Sequence, residues 1–585
     1  MVERFIFGRN VYLYGIAKSG RHGNLVIGAG TETTEAERSK KMKRTIACVF
    51  ALLMSLLLAF SACTQGANSS PNDNPDSTIN SSSSGNSEKP DDKPDEEPDV
   101  LDGYEKSCAI TEFPSDDLEK VNLKPTFDIS DCIFDASEVI IPYQLFGDGM
   151  CLQRDAVNKI WGTIENLEGN EHIAAKFRGK VYYGTVENDN WEIYLPFMTA
   201  GGPFELTLIC DWGVKTIKDV YVGEVYMLSG QSNMEWKVEW SGEVLADLYA
   251  SEAECKNDNI RLLSLATKFR EQPTKTLEQP PVWNGANVSS IKNFSAVGYI
   301  FGKEMQKKLD CPVGLIVNAI GGTITESWMD EEAYTEYEKI CDTACDESLI
   351  WKKHSQSFNG VVYPLEGYNI RGVCWYQGES NIYGAEKNHD KALKALVSCF
   401  RRFFNNPQLT FSMAELARFV EDPVGYSIIN EKITVVARED KLVCNAINLD
   451  QGDWSDIHPK DKRTIATRLA SETLRNFFGK DENAAPKVKS CKVVSDKEIQ
   501  LTMNEKVVLK NGSSGFEVLT AEGYSLKCNV TINDNVITVT SGVPFSGIRY
   551  GYNFEKTAEN VEDLSRTITV YDEQGLPCDM FMINF

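Results

Sequence analysis

The chain has 585 residues, too many for one hydrophobic core, so several domains are expected. Its formal net charge of −25 argues against a phosphate-backbone partner, and no nucleic acid is expected. An acidic surface suits work on neutral or acidic material outside the cell, without choosing among such substrates.

The first recognisable element is an address. Met42-Lys43-Arg44 opens a basic segment, Thr45 to Phe60 is almost wholly apolar, and Ser61-Ala62-Cys63 follows. That order reads as a secretory signal, with a simple membrane anchor as the competing reading. Residues 1–41 lack this logic and are read as an upstream extension, with Met42 as the true start. Residues 64–100 are Ser, Asn, Pro, Asp and Glu with few apolar side chains. Such a stretch cannot bury enough surface to offset its ordering entropy and reads as a disordered tether.

Short strands are expected next, at 173–177, 191–195 and 204–209, separated by Gly, Asn and Pro clusters. Their spacing suggests a β-sandwich. From about Tyr221 the texture becomes α/β. Val222–Leu228 reads as a buried strand and 313–319 as another. Apolar stripes at helical spacing mark helices near 294–309 and 393–404. Strands alternating with helices imply a doubly wound, mainly parallel sheet, whose ligands bind beyond the strand ends. Strands return at 499–503, 536–540 and 567–571 as a second all-β module. The expected domains are 1–63, extension and signal; 64–103, tether; 104–220, N-terminal β-module; 221–480, catalytic α/β domain; and 485–585, C-terminal β-module.

Three separated segments carry chemistry. Gly230-Gln231-Ser232-Asn233-Met234 places a serine just past a strand end, where a preceding glycine permits a tight bend. It lacks the second glycine of the Gly-x-Ser-x-Gly elbow. A serine hydroxyl needs a base to become nucleophilic. The chain has five histidines, and His458 alone sits in a loop with Asp456 two residues before it and Pro459 after it. A neighbouring carboxylate can fix an imidazole's tautomer and stabilise its cation. Gly321 and Gly322 follow a strand and would let a backbone N–H approach a ligand. Gln377 offers an amide donor for an oxyanion. Glu379 is left with three roles: orienting His458, binding a sugar hydroxyl, or bracing its loop. The sixteen cysteines show no paired CxxC spacing, so no structural metal is expected, and their scatter looks like small buried hydrophobes.

These segments resemble the sialate O-acetylesterase family within the SGNH hydrolases. The likeness rests on Gly230–Met234; on Gly321-Gly322-Thr323 with Glu326-Ser327-Trp328-Met329; on Phe358-Asn359-Gly360 and Trp375–Asn381; and on Asp456–Pro459 with Lys462 and Arg468-Leu469-Ala470. It extends to Met150–Arg154, Gly201–Leu206 and Gly575-Leu576-Pro577, so it spans most of residues 145–585. Ser455 stands where the superfamily often has its aspartate, which leaves Asp456 and Glu379 both open as partner of His458. Ile320 replaces a frequent tryptophan, and 429–440 is a poor match to the family helix. Cys63 resembles the acylated cysteine of bacterial lipoproteins, although Phe60 departs from the usual leucine.

The resemblance implies an SGNH-type catalytic domain flanked by β-sandwich modules. It further implies a serine O-acetylesterase of O-acetylated glycans, needing no cofactor, exported and membrane-bound only through its lipid. Ser232, His458, Asp456 and Glu379 would be catalytic, and Ser232, Gly321, Gly322 and Gln377 would form the oxyanion hole. Acetylxylan or another acetylated polysaccharide is the alternative substrate to sialate. The rival readings are a non-catalytic carbohydrate-binding lipoprotein and a lipase-like enzyme.

Overall fold

The computed structural model describes residues 2–7, 10–15 and 120–585, apart from 122, 131, 133, 166–170, 267, 342–349, 383, 420–422, 453–455, 511–514, 526–527 and 553–567. The chain divides into two compact units, Met1–Pro94 and Asp95–Phe585. Within the first, Val2–Phe7 and Asn10–Gly15 pair as an antiparallel hairpin. The expected signal, Cys63 and tether lie outside the described residues. Among the described residues, no helix is long and apolar enough to cross a membrane.

The second unit is built on a large mixed sheet. One strand, β1 (Gly213–Gly230), runs through the boundary expected at residue 220. Its first half pairs antiparallel with Gly201–Cys210. Its second half pairs in parallel with β3 (Val313–Val317) on one side and β4 (Gly372–Tyr376) on the other. The row is completed by β2 (Asn257–Ser264) beside β3, and by β5 (Thr410–Ala414) and β6 (Val443–Ala446) beyond β4, all parallel. Almost every side chain of β3 to β6 is buried, as parallel strands covered on both faces require.

Helices supply that cover. They are α1 (Ala296–Leu309), α2 (His389–Phe403), α3 (Pro423–Glu439) and α4 (Arg463–Phe478). Successive strand residues point to opposite faces. On β5, Phe411 meets Phe400 of α2, while the Ser412 hydroxyl pairs with Thr473 of α4. The region 429–440, a poor match to the family by sequence, is the body of α3.

Beyond α4, two four-stranded antiparallel sheets follow, ordered by range as 488–495, 498–503, 536–541, 528–533 and as 523–525, 516–520, 547–550, 581–584. Ile499, Leu501 and Ile537 from one share a core with Phe516, Val518 and Ile548 from the other. Ten of the twelve described cysteines are buried, in keeping with their reading as small hydrophobes.

The turn from β-module to parallel sheet is locked by buried charge. Glu224, fully buried on β1, accepts hydrogen bonds from Arg371 Nε at 2.7 Å, Arg154 Nε at 2.6 Å and Gln153 Nε2 at 3.0 Å. Gly223 is required beside it, because a Cβ there would stand 1.9 Å from the Pro312 carbonyl oxygen.

Candidate active site

The site forms where β1 and β4 end side by side. Gly230 (φ 129°) closes β1 so tightly on β4 that an added Cβ would lie 2.2 Å from the Tyr376 carbonyl oxygen. The Gln231 N–H bonds that same oxygen, and its side-chain Oε1 accepts from the Ser380 N–H at 3.2 Å. Ser232 then opens a single helical turn, Ser232–Glu235.

The loop before α4 brings the histidine to the serine. His458 Nε2 lies 2.8 Å from Ser232 Oγ, across 226 positions of sequence. The imidazole stacks on Trp236, with ring centroids 5.0 Å apart and 21° between planes. Asp456 Oδ1 accepts the His458 backbone N–H at 2.9 Å and stands 3.7 Å from Nδ1, beyond hydrogen-bond reach of the ring. Asp456 therefore holds the loop first and the ring second. Replacing Asp456 by Asn should lower esterase kcat only about tenfold, far less than loss of a directly bonded triad carboxylate. Steady-state kinetics on an aryl acetate would check this, and a loss of a thousandfold or more would contradict it.

Glu379 does not touch the imidazole. Its Oε1 accepts from Asn233 Nδ2 at 2.5 Å, and its Oε2 is buried without a hydrogen-bond partner. The same Asn233 amide donates to the Ile457 carbonyl at 3.1 Å, and its Oδ1 accepts from Lys462 Nζ. Of the roles left open for Glu379, bracing is the one its contacts fit.

Two expected oxyanion donors are engaged elsewhere. Gln377 is fully buried, and its Nε2 donates to the Thr323 carbonyl at 3.0 Å and to Asn381 Oδ1 at 2.6 Å. Its amide braces the Thr323–Asn381 turn rather than facing a ligand. The Gly321 N–H donates to Glu235 Oε2 at 2.8 Å. Gly321 nevertheless lies against the serine, since a Cβ there would be 3.4 Å from Ser232 Cβ. Gly322 adopts a left-handed conformation (φ 78°), and its carbonyl accepts the Ser380 hydroxyl at 3.0 Å. Among the described residues, the N–H groups of Ser232 and Gly322 donate to no acceptor.

Burial, and then the nearby Lys462, push the His458 imidazole below its ordinary value of 6.5, against Asp456. The ring is therefore neutral at neutral pH, as a proton acceptor must be. Burial raises Glu379 to about 7 and lowers Lys462 to about 7, each charge partly offsetting the other's penalty across Asn233. Burial also raises Glu235, opposed by the Gly321 N–H.

The remaining described histidines lie elsewhere. His172 pairs with Asp211 at 2.9 Å, and His354 stacks on Tyr334. His389 is fully buried at the start of α2, where burial lowers it to about 3. His22 lies outside the described residues. Trp328 and Trp375 are fully buried and belong to the core, and Ile320 is buried too. No group of three or more His, Cys, Asp or Glu able to hold a metal occurs among the described residues.

Asn233 and Lys462 stood in the quoted segments without an assigned role, and Glu235 directly follows the first of those segments. Glu235 follows Ser232 by three, the interval that returns a side chain to the same side of a helical turn. The loop from His458 to Lys462 is not helical, and no spacing signal marked Lys462.

Residues 222–475 match the family model described as carbohydrate esterase, sialic acid-specific acetylesterase. Sialate O-acetylesterases from Pongo abelii and Homo sapiens are each 27% identical over 374 residues, covering 55% of this chain and 68% of theirs. The Rattus norvegicus sialate O-acetylesterase is 23% identical over 454 residues, covering 65% of this chain and 82% of its own. In structure, the chain is similar to a carbohydrate acetylesterase from Xanthomonas citri, with a TM-score of 0.67 and 23% identity, over 76% of this chain and 99% of that one. That likeness speaks for the fold. The resemblance read from the motifs is borne out.

Proposed function

We propose that this chain, whose residues 222–475 match the family model described as carbohydrate esterase, sialic acid-specific acetylesterase, is a serine O-acetylesterase of SGNH type acting on O-acetylated glycans. The observation that carries the proposal is the 2.8 Å contact between Ser232 Oγ and His458 Nε2.

His458 Nε2 takes the proton of Ser232 as Oγ attacks the acetyl carbonyl. The oxyanion forms against the N–H groups of Ser232 and Gly322, which donate to no acceptor among the described residues. The tetrahedral intermediate collapses by breaking the bond to the sugar oxygen, which takes the proton from His458. A water, deprotonated by the same nitrogen, then attacks the acetyl-serine. Acetate leaves and Ser232 regains its proton. Every step uses groups of the chain and water alone.

The setting supports a sugar as the alcohol part. Trp240 is 45% exposed and meets Trp236 edge-on at 5.5 Å, and Trp236 lies against His458. An exposed indole beside the reacting pair can stack on a pyranose face. Trp240→Ala should therefore raise KM for acetylated oligosaccharides about tenfold and leave hydrolysis of a small aryl acetate unchanged. Equal effects on both substrates would remove Trp240 from sugar recognition.

Acetate release from acetylated sialates and acetylated xylo-oligosaccharides tests the function and separates the two substrate classes. Glycan binding without acetate release would leave a binding lipoprotein, and a preference rising with acyl chain length would mark a lipase-like enzyme. Export and lipid anchoring through Cys63 belong to the same proposal. Globomycin-sensitive processing and incorporation of labelled palmitate at Cys63 test them.

A further inference from the structure

Beneath the serine and histidine lies a buried polar chain that the steps above do not use. Asn233, Glu379 and Lys462 are 2%, 3% and 0% exposed. Asn233 is its centre. Its Nδ2 reaches Glu379 Oε1 and the carbonyl of Ile457, the residue before His458. Its Oδ1 takes the Lys462 ammonium. A single amide next to the serine thus grips the histidine loop, the loop after β4 and the start of α4.

The ammonium also lies over aromatic faces, 5.6 Å from the Trp236 centroid and 5.9 Å from that of Tyr376. Trp236 in turn stacks on His458. Lys462 is therefore held by the Asn233 amide and against the indole on which the imidazole stacks. A buried cation without a job is costly, because desolvation is offset only by its pairing and hydrogen bonds.

We infer that Lys462, joined to Glu379 through Asn233, is a positioning residue that locks the serine turn to the histidine loop and supplies a fixed positive charge beside the imidazole. This rests on the proposed esterase site and extends it. The charges facing His458 are Lys462 and Asp456, and those facing Lys462 are Glu379, Asp456 and Asp461. A positive neighbour disfavours the imidazolium, so it keeps the base unprotonated to lower pH. Lys462 titrates near 7 and so carries its charge through the acid range where His458 gains its proton. Asn233 keeps the serine and histidine in register while that charge acts.

The test is the acid limb of kcat/KM on an aryl acetate, measured for Lys462→Met and for Lys462→Met/Glu379→Gln. The double variant leaves no unpaired buried charge, so it decides the matter if the single variant does not fold. The expected result is an acid limb moved upward by about half a pH unit or more, with kcat lowered about tenfold to a hundredfold. A purely structural role lowers kcat and leaves the limb in place. Proton NMR titration of the His458 imidazole in the folded double variant reads the same shift without turnover. An unchanged His458 titration there overturns the inference. A parent protein with a normal His458 titration and no esterase activity would instead count against the proposed function alone.

Discussion

Ser232→Ala should abolish turnover of an aryl acetate almost completely, lowering kcat by about 10⁴- to 10⁶-fold while KM changes little. The argument begins with the hydroxyl's position. It opens a helical turn at a strand end, 2.8 Å from the one nitrogen able to take its proton. Alanine removes the attacking oxygen and keeps the turn, whose geometry is set by Gly230 and by the bonds of Gln231 rather than by the serine side chain. Backbone donors remain, so residual hydrolysis of a small fraction is expected. His458→Ala should cost a similar factor. Because the two act as a unit, the double variant should be scarcely worse than either single one. Losses that multiply in the double variant, or near-normal activity in a folded Ser232→Ala protein, would contradict the serine mechanism.

Much of this site was legible in the sequence, and the physical reason is scarcity. With five histidines in the chain, few pairings with Ser232 were possible. Two strands of the parallel sheet, those expected at 222–228 and 313–319, were legible because buried strands are continuous apolar runs, whereas those at 257–264, 410–414 and 443–446 were not named. What sequence could not supply was the direction of donors. Gln377 has the right chemistry for an oxyanion, but its two amide hydrogens meet Thr323 and Asn381, an outcome fixed by a turn 54 residues away. Glu379 stood between roles for the same reason, since Asn233 interposes between it and the histidine loop. The continuity of β1 across the expected boundary at residue 220 was hidden because the charged pair Lys218-Asp219 interrupts its apolar run. In the structure Asp219 takes φ 52° within the strand, beside a register shift against Phe204 and Leu206, which is a bulge rather than a break.

The second large effect concerns stability. Glu224→Gln should destabilise the folded protein by about 3 to 5 kcal/mol at pH 7, because it leaves the guanidinium groups of Arg154 and Arg371 with the Asp155 carboxylate, 3.7 and 3.8 Å away and outside hydrogen-bond reach. Burial alone would raise the Glu224 carboxyl. Arg371, then Arg154, overcome this and hold it near 2, against an ordinary 4.5. That displacement corresponds to about 3 kcal/mol. Since the folded carboxyl titrates lower than the unfolded one, the contribution is complete above pH 4.5 and fades as pH falls toward 2. Denaturant unfolding of parent and variant at pH 7 and pH 3 should show a gap that narrows at the lower pH. A gap below about 1 kcal/mol at pH 7, or one that widens on acidification, would mean the cluster does not act as described.

The uninterrupted strand through residue 220 has a consequence for how this chain could be cut down or recombined. A fragment starting at Val222, where the match to the esterase family begins, would inherit the back half of β1 with its front half missing. Glu224 would lose Arg154 and Gln153, and the Gly223 carbonyl would lose the Arg154 N–H. Minimal versions and domain swaps should therefore carry residues 145–220 along with the esterase segment, as one inheritable block.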